Sequence, residues 1–192
     1  MIYNFDEVKS TDRYKLMANT IIPRPIAWIV TKDEVENVAP FSYFTGLSSE
    51  PATILVSIGH KKDGEKKDTL KNILKTKKAV VCIVDDSFYK KLDQTKEELA
   101  HNQSEANEFD IELEQKFDDY PQMIKGCRVA FFCEFFQVVD IGGKTIPTIL
   151  EIKKMFIDDK LITDKENIKI NFNDALARVG ASYAKIGEEL QI

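Results

Sequence analysis

The chain has 192 residues, with 27 Lys and Arg against 32 Asp and Glu, a net charge of −5. That length suits one domain, residues 1–192, with its own core, and the acidic balance argues against a nucleic-acid partner. No apolar run approaches the ~20 residues that cross a bilayer, and Met1 to Lys9, with Asp6 and Glu7, lacks the apolar stretch of a secretory signal. The expectation is a cytoplasmic protein without a membrane partner.

The elements follow in chain order. Arg24 to Thr31 (RPIAWIVT) is apolar and β-branched and ends at the charged turn Lys32 to Asn37. Val38 to Phe44, Thr53 to Ile58 and Ala79 to Val84 read as further strands. Between the last two, Asp68 to Thr76 places Leu70, Ile73 and Leu74 at helical spacing, with Asp68 as its N-cap. Ser87 to Asn107 is charged with a thin apolar stripe (Phe88, Leu92, Leu99) and reads as an exposed helix. With the segment to Tyr120 it forms a surface insertion or a lid. Arg128 to Asp140 is apolar on both faces of the pleat except at Glu134 and Gln137, so it needs cover on both sides. Thr148 to Ile157 and Ile168 to Phe172 complete the strands, and Asp174 to Leu190 reads as partly helical. Short strands with a few helices inserted define a mainly β chain, a barrel or sandwich.

Several motifs fail on inspection. Gly59 to Lys66 has the glycine spacing of a P-loop, but Glu65 stands where its lysine belongs. Gly143-Lys144-Thr145 has a P-loop ending, but Val138 holds the first glycine position and Pro147 blocks the helix. No G-x-G-x-x-G is present. The three cysteines (Cys82, Cys127, Cys133) form no C-x-x-C and read as reduced, buried thiols; with two histidines, His60 and His101, a metal cluster is not expected. No acid–base pair or nucleophile system stands out, so no catalytic side chain is assigned.

Three segments carry the functional reading. Pro23-Arg24-Pro25 holds Arg24 at the edge of a strand, near an anion or simply in solvent. Pro40, within Asn37 to Pro51, has no N–H to give the ladder, and the kinked strand leaves backbone groups beside Ser42, Tyr43 and Phe44 for a flat heterocycle. Ser57-Ile58-Gly59 ends a strand, and the basic loop to Lys67-Asp68-Thr69 then opens a helix whose N-terminus favours a phosphate. An aromatic slot and a phosphate cradle on one small barrel suit FMN.

At this point the chain resembles the flavin reductase-like family, the FMN-binding split barrels that include flavoredoxins. Pro23 to Trp28, Asn37 to Phe44, Lys67 to Ile73 and Leu176 to Tyr183 carry the match, in the family's order. The resemblance implies a six-stranded antiparallel split β-barrel and a homodimer with FMN near the interface. It places Ser42, Tyr43 and Phe44 on the flavin ring and Ser57 and Ile58 at the ring edge or ribityl chain. Lys67 and Thr69, with Asp68 between them, are placed at the phosphate, and Arg24 and Arg178 nearby. It also implies hydride transfer from NADH or NADPH, as a transient electron donor, to flavin N5, with the protein supplying binding and orientation. Two alternatives stay open: a flavoredoxin-like electron carrier with tightly held FMN and a redox protein partner, and a barrel that holds a small ligand without redox chemistry.

Overall fold

Strands that are apolar on both faces form where a sheet is covered on both sides, and this chain builds one such sheet. The computed structural model describes residues 1–187. Helix α1 (Ser10–Thr20) leads into β1 (Arg24–Pro25), β2 (Ala27–Lys32), β3 (Glu36–Phe41), β4 (Phe44–Ser49) and β5 (Ala52–Gly59). Helix α2 (Asp68–Thr76) and β6 (Lys78–Ile83) follow, then two short helices, α3 (Tyr89–Gln94) and α4 (Glu105–Glu108). The two-residue pair β7 (Leu113–Glu114) and β8 (Met123–Ile124) precedes the long hairpin of β9 (Val129–Val138) and β10 (Thr145–Ile157). A small hairpin, β11 (Ile162–Asp164) and β12 (Lys169–Ile170), and a last one, β13 (Leu176–Val179) and β14 (Ser182–Lys185), end the described chain.

The main sheet is antiparallel, in the order β3-β2-β6-β9-β10-β5-β4, and curls into a half-barrel. It has seven strands, one more than the resemblance implies, because the run read as Val38 to Phe44 is two strands. β3 stops at Phe41 and β4 starts at Phe44. Pro40 stands in β3 opposite Trp28, and β3 is an edge strand, so its missing N–H leaves no ladder bond unmade.

Alternation sorts the side chains into two cores. Ala27, Ile29, Ala79, Val81 and Cys133 point into the barrel and pack on Leu70 and Ile73 of α2. Trp28, Val30, Val80, Cys82, Ala130 and Phe132 point the other way. Their cover is the stretch after β6: Leu92, Ile111, Tyr120, Met123 and Ile124 are all buried there. This corrects the reading of that stretch as an exposed helix or surface insertion. It is broken into short pieces, and without it one whole face of the sheet would meet water. Burial of the order of 2 kcal/mol per large side chain explains why the pieces hold.

Two more expectations change. Asp68 is the first residue of α2 rather than its cap; Lys67 takes the cap position and offers no side-chain hydrogen bond. The stretch from Asp174 is not helical. Arg178 pairs with Arg24 in β1 and with Tyr183 in β14, around a turn at Gly180. Gly180 has φ +54, so the turn needs glycine; a Cβ there would also lie 2.2 Å from Asn19 Oδ1, the end of an exposed side chain that can turn away. Residues 188–190 of that expected element lie outside the described residues.

Candidate functional site

Two cavities open side by side along Pro40 and Lys96, which line both. The first, about 60 Å³, sits where β3, the basic loop and the start of α2 converge. Lys61, Lys67, Asp68 and Thr69 line one side, Asn37 the floor, and Thr95 to Leu99 with Glu105 the far wall. Helix starts leave their first N–H groups unpaired. Here no side chain caps them, so the N–H groups of Asp68 and Thr69 remain available. Thr69 is 1% exposed; its hydroxyl accepts from Asn37 Nδ2 at 2.9 Å, which leaves its own hydrogen to donate. Lys67 has no carboxylate within ion-pair distance among the described residues. Lys61 does: its Nζ lies 2.6 Å from Asp68 Oδ2, and His101 Nδ1 lies 2.8 Å from the other oxygen. Burial alone raises the Asp68 carboxyl, but Lys61 and His101 outweigh it and hold it below the usual range. Asp68 is therefore a neutralised anchor, and a second anion beside it is not repelled in full.

The second cavity, about 200 Å³, is wider and more aromatic. Tyr14, Ile26, Phe41, Ser42, Leu92 and Tyr183 surround it, with the cations Lys96 and Arg178 at its rim. Arg178 lies over the Tyr183 ring at 4.5 Å and donates from Nε to Gly180 O at 3.2 Å. Tyr183 donates to Asp93 Oδ1 at 2.8 Å, and Lys96 pairs with the same carboxylate at 2.7 Å. Burial, with Asp93 beside it, pushes the Tyr183 phenol up to about 12. The Asp93 carboxyl is held low by Lys96.

The residues singled out from the sequence divide accordingly. Lys67, Asp68 and Thr69 line the first cavity, and Ser42 and Arg178 the second. Tyr43, Phe44, Ser57, Ile58 and Arg24 line neither. Tyr43 packs its ring against Tyr14 at 6.0 Å, and its buried hydroxyl has no partner among the described residues. Phe44 lies opposite Val56 at the rim of the barrel core. Ser57 donates its N–H to Tyr43 O at 2.8 Å. Ile58 is wholly buried beneath α2, so only its backbone faces outward.

Arg24 is the clearest correction. It is 4% exposed and donates to Ile21 O at 2.8 Å, to Ala18 O, and to Gly180 O at 3.4 Å. It pins α1 to the β13–β14 turn and lines neither cavity. Missed by the sequence reading were Tyr14, Lys96, Tyr183 and Glu105. Tyr14 and Tyr183 carry a weak signal, an aromatic on a helix stripe and in a matching segment. Lys96 and Glu105 lie in a charged stretch without periodicity, and nothing local marks them. Glu105 is 6% exposed and accepts the Val38 N–H at 2.9 Å; burial raises its carboxyl above the usual range against that bond.

A curled antiparallel half-barrel of this strand order is the architecture of the flavin-binding split barrels. Residues 17–174 match the family model described as the flavin reductase like domain, and the chain belongs to that family. It is 31% identical over 182 residues to an uncharacterized protein of Aquifex aeolicus, covering 92% of each chain. Among solved structures it is similar to nitrilotriacetate monooxygenase component B from Bacillus cereus, with TM-score 0.92 and 27% identity over 100% of this chain and 98% of that one. Flavoredoxin of Desulfovibrio vulgaris (Miyazaki F) shares the fold, with TM-score 0.77 and 15% identity over 100% and 97% of the two chains.

Proposed function

We propose that this protein binds FMN along the groove, as an NADH- or NADPH-dependent flavin reductase that works as a homodimer. The observation that carries the reading is that the two cavities are neighbours, with Pro40 and Lys96 in the walls of both. One end offers a free lysine, an unclaimed hydroxyl hydrogen and two uncapped N–H groups, which is the donor set a phosphate monoester needs. The other end offers aromatic walls and the width for a ring system. When bound, FMN supplies the redox chemistry, accepting a hydride at N5; the chain's residues bind it, orient it and set the charge around it. Hydride transfer to the ring requires no acid, base or nucleophile from the chain.

Support for the dimer comes from what the fold leaves uncovered. β4 is the edge strand of the main sheet opposite β3, and Leu47 on it is exposed. Tyr14, Met17, Ile21 and Ile22 expose a further apolar face on and just after α1. An open edge beside exposed apolar side chains is a surface that proteins cover.

The test is an absorbance spectrum of the purified protein with FMN added, followed by NADH and then NADPH without oxygen. Flavin bands that bleach on addition of one nucleotide support the reductase. Bands that persist with both and bleach only with dithionite identify an electron carrier fed by a protein partner. A protein that takes up no FMN overturns the proposal. Sedimentation at micromolar concentration checks the dimer.

A further inference from the structure

Arg24 and Arg178 face each other across the β1–β13 ladder, and both donate to one acceptor, Gly180 O, at 3.4 and 3.2 Å. Like charges directly opposite in a sheet repel. Arg128 pairs with Asp85 and Asp174, but neither Arg24 nor Arg178 pairs with a carboxylate among the described residues. Arg24 is buried, and the carbonyls of Ala18, Ile21 and Gly180 that meet it bring no countercharge. Its Nε is buried without a partner among the described residues. A cation buried unmatched is costly, so a fold that keeps one opposite a second cation holds positive potential there.

That potential reaches the second cavity. Arg178 stands in its wall, fixed by Gly180 O and lying over the Tyr183 ring at 4.5 Å, with Arg24 one strand behind. The other cation of the wall, Lys96, is matched by Asp93 at 2.7 Å. The Tyr183 phenol, pushed up to about 12, adds no negative charge at neutral pH. The wall is therefore positive on balance.

We infer that the Arg24–Arg178 pair makes this cavity hold reduced flavin more tightly than oxidised flavin, and so raises the potential of the bound cofactor. The inference rests on the FMN reading above. The ring of oxidised flavin is uncharged. A hydride carries two electrons and one proton: the nicotinamide C–H bond breaks, the N5–H bond forms, and the ring is left with one negative charge. Ile26, Phe41 and Leu92 give the cavity apolar walls, beside which a fixed cation acts on that charge more strongly than it would in water. Both guanidiniums are in place before the hydride arrives, so none of this stabilisation is spent on reorganisation.

The experiment loads the intact protein with FMN and titrates it with dithionite against a reference dye without oxygen. The midpoint potential is compared with that of free FMN, and fluorescence titration gives the affinity for oxidised FMN. The parent is expected to bind reduced FMN about tenfold more tightly than oxidised FMN, which places the bound potential about 30 mV above the free one. Arg178→Met is expected to lose about tenfold of that preference, with its affinity for oxidised FMN within about threefold of the parent's. Arg178→Lys keeps the charge, and its preference is expected to stay within about threefold of the parent's. A parent potential at or below that of free FMN overturns the inference, whatever the variants do. An Arg178→Met potential equal to the parent's overturns it, and so does an Arg178→Lys potential as low as that of Arg178→Met. Equal loss of oxidised and reduced FMN in Arg178→Met shows a side chain that only holds the turn, and overturns it as well. Failure of the parent to bind FMN removes the FMN reading itself, and the inference with it.

Discussion

Replacing Lys67 tests the phosphate end of the groove most directly. Its ammonium is half-buried at the mouth of the first cavity and has no ion-pair partner among the described residues. Nothing in the folded protein is therefore lost when it changes, and any effect on binding reports on the ligand. A hydrogen bond to a charged group contributes about 1.5–3 kcal/mol when one partner is removed. At 1.4 kcal/mol per decade, Lys67→Met is expected to weaken FMN binding by roughly 10- to 150-fold. Lys67→Glu adds repulsion of about 1 kcal/mol or more at contact distance, another fivefold at least. Riboflavin, which has the ring and the ribityl chain without the phosphate, is expected to bind parent and variants within about twofold, as an interaction worth a few tenths of a kcal/mol would. Titration by fluorescence quenching measures all of these, and melting temperatures of the free proteins check that the fold is unaltered. Equal FMN affinity in parent and both variants refutes the placement of the phosphate. A parallel loss of riboflavin binding refutes it too, because the lysine would then act on the ring.

Three further outcomes follow from the same structure. Arg24→Met removes the guanidinium that joins the carbonyls of Ala18, Ile21 and Gly180, although Gly180 O keeps Arg178 and Ala18 O keeps the Gly180 N–H; at about 3 kcal/mol for the lost charged bonds, the melting temperature should drop by about 10 °C while FMN affinity per folded molecule holds. Burial raises the folded pKa of Glu105 above its ordinary value of 4.5, so its contribution to stability is fully present below that value and is lost as pH rises through the folded pKa. Glu105→Gln keeps an acceptor for the Val38 N–H; in denaturant melts it should gain stability over the parent at neutral pH, with the gain vanishing below pH 4.5. Burial pushes the thiols of Cys82 and Cys133 up, so a thiol reagent should leave both unreacted in the native protein and label them on unfolding.

Helix α2 was legible to its ends because Leu70, Ile73 and Leu74 repeat at the helical period on a charged background. The two-faced strands were legible as well, and they announced that something covers the sheet. Which segment covers it was not legible. Leu92, Ile111, Tyr120 and Met123 come from pieces too short to show a period, set among charges that face water. The β13–β14 hairpin was misread because Ala177, Ala181 and Ala184 favour a helix locally, while pairing with β1 and the turn at Gly180 decide otherwise. At the site, Lys67 and Thr69 announce themselves by standing at a helix start. Lys96, Glu105 and Tyr183 join them only through the fold, from segments a reader of the sequence has no reason to bring together. Arg24 misled for the opposite reason: an arginine between two prolines looks presented, whereas here backbone carbonyls surround it.

The bond from Arg24 to Gly180 spans 156 residues. β1 has its ladder partner in β13, and Leu176 hangs from Val84 O by its own N–H. Such distant contacts make folding slow, because much chain must be brought to order before any of them forms. They also set a timetable. On the ribosome, where chains grow at about 5–20 residues per second, β1 to β6 emerge several seconds before the hairpin that Arg24 holds. Until Arg178 and Tyr183 arrive, the wide cavity lacks one wall and α1 lacks its pin. Once β9 and β10 join β6 to β5 the nascent chain can own its whole main sheet and the walls of the first cavity, while the second cavity is finished only with the last hairpin.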